Sequence, residues 1–121
     1  MPHAVTIPRG APYVLVTVDG PMTRELSIEA AVAAKRLAAT LGLRCFFYDL
    51  RRSRNIESVA ANYEHVHRDM PPLDLDRTAR VAMLVSPDDH SHDFVETVGL
   101  NEGYSMRIFR DEKAALRWLT I

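Results

Sequence analysis

The stretch that decides the fold is Arg44-Cys45-Phe46-Phe47-Tyr48-Asp49-Leu50. It is aromatic and almost continuously apolar, the pattern of a strand covered on both faces, whereas a strand with one wet face alternates. A second such run is Arg80-Val81-Ala82-Met83-Leu84-Val85. Between them Val59, Tyr63 and Val66 fall on one face of a helix running from about Ile56 to Arg68, and Pro71-Pro72 forbids its continuation. Two buried strands joined through a helix pair in parallel and define the middle of a sheet.

Working outward toward the C-terminus, Ser91 can cap a helix carrying Phe94, Val95 and Val98, closed by Gly103. Ser105-Met106-Arg107-Ile108-Phe109 alternates as a final strand does, and Asp111 caps a last helix with Ala115, Trp118 and Leu119 as its apolar stripe. In the other direction, Thr23 is the N-cap of a helix reaching about Leu41, with Ile28, Ala31, Val32, Leu37 and Ala38 at helical spacing. Gly42 stops it, and its many alanines suit close packing on a sheet. Residues 3–7 and 13–18 read as two antiparallel strands around Gly10, with Pro8 and Pro12 at strand ends and the shorter first strand at the sheet edge. The expected fold is α/β: a mixed, largely parallel sheet with an N-terminal antiparallel hairpin and about four helices, in one domain spanning 1–121.

Composition narrows the function. Fifteen Lys and Arg against sixteen Asp and Glu leave a net charge of -1, which lacks the basic footprint of nucleic-acid binding. The longest apolar runs are far short of the roughly 20 residues that span a bilayer. A lone Cys45 and a start, Met1-Pro2-His3, without signal-peptide character lead us to expect a cytoplasmic protein. No nucleophile elbow, P-loop or dinucleotide glycine fingerprint is present, so no cofactor is implied.

The order of elements, with Phe47-Tyr48-Asp49-Leu50-Arg51 closing a strand, Asp93 to Thr97 leading to Asn101-Glu102-Gly103, and the ending Arg107 to Leu119, resembles the SpoIIAA-like (STAS-like) domains. These are related to bacterial anti-sigma-factor antagonists. The resemblance covers nearly the whole chain and implies a noncatalytic regulatory module with a protein partner. It also implies a link to lipid-binding Sec14-type domains. In the antagonists a phosphorylatable serine opens the helix after the central strand, and Ser58 is the nearest match, although Glu57-Ser58-Val59-Ala60 replaces their Asp-Ser-Ser-Gly-like pattern.

Read as residues, Ser58 would offer a phosphate to free helix N–H groups, with Arg51, Arg52 and Arg54 nearby in sequence. Those three arginines leave the carboxyl end of a central strand, where open α/β sheets place ligands, and could receive an anion or an acidic surface. Two further classes of function stay open. One is capture of a small apolar or lipid-like molecule between helices and sheet, in a cavity lined by residues such as Phe46, Tyr63, Met83 and Phe94. The other is a small enzyme using Asp49 with a histidine, although Asp49 more simply holds Arg51. His65 and His67 do not readily share a metal ion, because helical residues two apart diverge by about 200°. His90-Ser91-His92-Asp93 lies at a helix start where a loop could gather ligands, but three or four must converge and only this compact group is evident, so no metal site is expected. Cys45, on a buried strand, is expected to be inert. Self-association through the short edge strand is a further option.

Overall fold

The computed structural model describes residues 2–120. Five strands form one sheet in chain order: β1 (His3–Thr6), β2 (Val14–Asp19), β3 (Cys45–Arg52), β4 (Arg80–Leu84) and β5 (Ser105–Phe109). β1 pairs antiparallel with β2, and each later pairing is parallel. The hairpin, the parallel strands and the central place of β3 are those read from the sequence. The helices are α1 (Arg24–Leu41), α2 (Val59–Glu64), α3 (Asp93–Asn101) and α4 (Glu112–Thr120).

Helix α1 starts and stops where its caps dictate. The Thr23 hydroxyl accepts the Leu26 N–H at 3.2 Å, and Gly42 takes φ 65°, the left-handed stop that glycine adopts without strain. Its buried residues, Leu26, Ala30, Ala34 and Ala38, repeat every fourth position and so form one face. Asp111 likewise caps α4, its carboxylate accepting the Ala114 N–H at 3.1 Å.

Strand parity divides the core. On one side Phe47, Ala82 and Leu84 pack against Ala115 and Leu119 of α4. On the other, Val14, Val16 and Val18 of β2, Leu50 and Met83 meet residues of α1 and α3. Helix α4 lies across β3, β4 and β5, whereas on the opposite face α1 packs on β1 and β2 and α3 packs on β5. This splitting of the helices corrects one expectation. On the side of β3 away from α4 Leu50 is buried, but Phe46 and Tyr48 are only half-buried.

The second helix also differs from its sequence reading. It is short, and continues as a single π-helical turn, His65–Asp69, then a 3₁₀ turn, Pro71–Leu73. Val59 and Tyr63 are 65% and 52% exposed, while Asn62, His65 and Val66 face inward. The inward choice is made by hydrogen bonding: Asn55 Nδ2 donates to Asn62 Oδ1 at 2.8 Å and His65 Nδ1 to Asp69 at 3.1 Å, so these buried polar groups are satisfied. Ser91 is not a cap either. Its hydroxyl accepts the Asn55 N–H at 2.9 Å, and His92 occupies the N-cap of α3. At the free edge of β5 the Glu96 carboxylate accepts the Ile108 N–H at 2.6 Å, which removes a donor from the exposed ladder.

Candidate functional site: a cavity over the central strand

Where α1 and α3 part, a cavity of about 510 Å³ opens over the middle of the sheet. Phe46, Tyr48 and Leu50 of β3 with Val81 and Met83 of β4 form its floor. Ala31, Ala34 and Ala38 of α1 form one wall, and Met70, Leu73 and Leu75 approach from the segment after α2. Protein interiors leave few voids larger than a water molecule, and small-molecule sites occupy roughly 300–1,000 Å³, so this space is of ligand size. The alanines read as a close-packing face therefore do two things. They bring α1 down on β2, and they leave room beside it. Of the four residues expected to line such a space, Phe46 and Met83 do, while Tyr63 and Phe94 are outside the lining.

The cavity follows β3 from Arg44 to Leu50, a run of about 20 Å at roughly 3.3 Å per residue. One end lies at the carboxyl ends of β3 and β4 and is polar. There Asn55, continuing beside Met22 in a parallel bridge, holds Asn62 and accepts the Glu57 N–H at 2.9 Å. Arg24, the first residue of α1, ties this end together. Its backbone N–H donates to Glu57 (2.9 Å), and its guanidinium to both oxygens of Asp69 (2.9 and 3.0 Å) and to Glu64 (3.3 Å). The Arg24 hydrogen bonds hold the Asp69 carboxyl below its ordinary range, against the opposing effect of desolvation, with His65 adding to the lowering.

His92 is buried at this same end, its Nε2 donating to the Ser53 carbonyl at 3.0 Å and lying 3.6 Å from Asp89. On the floor, burial pushes the Tyr48 phenol up to about 12, so it stays protonated at neutral pH. At the far end Lys35 donates to the Leu73 and Asp74 carbonyls, and Arg44 pairs with Asp76 at 3.0 Å.

The residues singled out from the sequence lie elsewhere. Arg51 pairs with Asp49 (2.7 Å) and Glu112, Arg52 with Asp19, and Arg54 with Asp89, so each arginine is drawn to a different carboxylate. Ser58 is exposed at the N-cap of α2, its hydroxyl accepting the Ala61 N–H at 3.1 Å. Asp49 is held by the Arg51 backbone and side chain, which lower its pKa against desolvation, and no described histidine bonds to it. Cys45 donates its thiol hydrogen to the Leu119 carbonyl at 3.2 Å. Among the described residues no three His, Cys, Asp or Glu side chains stand together as metal ligands. His65 bonds Asp69 while His67 bonds Glu102, in keeping with their divergence along the chain.

No protein-family model matches this chain, and no curated protein does. Solved structures do. An uncharacterized protein from the DUF3478 family with a SpoIIAA-like fold, from Shewanella loihica PV-4, superposes with a TM-score of 0.57 at 16% identity, covering 97% of this chain and 91% of that one. The anti-sigma factor antagonist SpoIIAA in its unphosphorylated form gives 0.55 at 16% identity, covering 98% of this chain and 99% of that one. This chain has the SpoIIAA-like fold, as its element order indicated. Among the described residues no helix is long and apolar enough to cross a membrane.

Proposed function

We propose that this domain is a non-enzymatic SpoIIAA-like binding module whose ligand is a small lipophilic or lipid-like molecule held between α1, α3 and the sheet. The supporting observation is the cavity, with its apolar floor on β3 and β4 and its alanine wall. Filling it removes apolar surface from water at about 25 cal/mol per Å². At roughly 0.3 kcal/mol per heavy atom, a ligand of about 20 atoms binds with a Kd of order tens of micromolar. Titrating the protein with Nile red, a neutral apolar dye that brightens in dry surroundings, tests this. The expected result is saturable binding of one dye per chain; a flat titration would overturn the reading.

A second reading has its own observation. Ile56, Val59 and Tyr63 are 62%, 65% and 52% exposed on the loop and helix that follow the central strand. Val59 and Tyr63, four residues apart on α2, make a stripe that a protein partner's groove can accept. Tyr63 is steadied by stacking on His67 at 4.0 Å. Ser58 and the Arg51, Arg52 and Arg54 loop flank the stripe in sequence, and a phosphate on Ser58 would add charge beside it. If a partner captured by the wild-type chain is captured equally by the Val59→Asp, Tyr63→Ser double variant, the stripe is not the interface.

A further inference from the structure

The polar end of the cavity carries information about the head group of its ligand, an inference that rests on the lipophilic-ligand reading above. Two imidazoles line it, and each has one nitrogen already engaged with a group that can only accept. His65 Nδ1 faces the Asp69 carboxylate at 3.1 Å, and His92 Nε2 faces the Ser53 carbonyl at 3.0 Å. In the neutral ring the proton must sit on that nitrogen, so Nε2 of His65 and Nδ1 of His92 are lone-pair acceptors. Neither has a hydrogen-bond partner among the described residues.

Charge then selects among heads. Of the charged residues at this end, Arg24 and Glu57 line the cavity; the Arg24 guanidinium is held by Glu64 and Asp69, and behind them Arg54 and Arg110 engage Asp89. An anionic head would meet Glu57 and two lone pairs, with the Arg24 guanidinium already held by carboxylates. A cationic head would give up its hydration for one carboxylate, Glu57, that already accepts the Arg24 N–H. At the opposite end Arg44 is paired with Asp76 and Lys35 donates to the Leu73 and Asp74 carbonyls, so an anion reversing its direction would have to draw Lys35 away from them. A neutral donor fits both constraints.

We infer that the cavity selects a lipophilic alcohol, its chain over Phe46, Leu50 and Met83 and its hydroxyl donating to the free nitrogen of His65 or His92. Displacement of bound Nile red by decanol, decanoate and decylamine, which share one chain length, tests the head alone. At about pH 8, where decanoate and decylamine both carry a charge, decanol is expected to displace the dye at a concentration at least about tenfold lower than either charged competitor, since burying an unpaired charge is the larger penalty. His92→Leu should weaken decanol several-fold more than it weakens Nile red, and an equal loss for both would count against the hydroxyl contact. Decanoate or decylamine displacing as well as decanol overturns the alcohol assignment and leaves the cavity reading standing. Absence of any Nile red signal defeats the cavity reading itself.

Discussion

Replacing Ala31 with phenylalanine is expected to abolish Nile red binding while leaving the fold intact. Ala31 stands on the wall of the cavity midway along α1 and is only half-buried, so the added ring has the cavity itself to enter. Phenylalanine costs a helix interior a few tenths of a kcal/mol relative to alanine. Against that, filling an apolar void commonly stabilises by about 0.5–2 kcal/mol. The melting temperature should therefore hold or rise as the dye signal disappears, and the combination is diagnostic. A variant that loses binding and stability together would indicate that Ala31 packs the core, and one that keeps full dye affinity would show that the dye binds elsewhere. Ala34 is a poorer choice because it is almost completely buried and also holds α1 on the sheet.

The contrast between Ala31 and Ala34 also shows what was legible in the sequence. The strands, the antiparallel hairpin at one side of the sheet and the caps at Thr23, Gly42 and Asp111 follow from local chemistry, and all of these are in the structure. What could not be read locally is the separation of α1 and α3, since it depends on where each helix rests across the sheet. Near-continuous apolar sequence on β3 signals burial on both faces, but a strand that floors a ligand cavity needs the same residues. The α2 face was missed for a related reason. Val59, Tyr63 and Val66 have helical spacing, yet the fold turns Asn62 and His65 inward, where Asn55 from the preceding loop bonds Asn62 and Asp69, one turn on, bonds His65. Arg24 and His92 gave no signal as single residues; only the approach of α1 to residues 57–69, and of residues 89–92 to the end of β3, gives them roles.

The opposite face of the sheet supplies the complementary expected result: Leu119→Ala should unfold the domain readily without touching ligand selectivity. Leu119 is 1% exposed and packs with Phe47, Ala82, Leu84 and Ala115 in the cluster that α4 completes. Truncating such a leucine costs about 2–5 kcal/mol through lost transfer energy and the cavity left behind. In a domain of this size that lowers the Tm by roughly 8–20 °C, measurable by thermal circular dichroism. None of the residues in this cluster lines the ligand cavity, because strand parity sends Phe47 and Ala82 to one side and Phe46, Tyr48 and Met83 to the other. Well below the lowered Tm, the decanol preference over decanoate should therefore be that of the wild type. A large change in that preference would mean that the α4 face and the cavity are coupled through the sheet. The two substitutions together test a division built into a single five-stranded sheet: the cluster under α4 can be weakened without touching the cavity, and the cavity can be filled from α1 without touching that cluster.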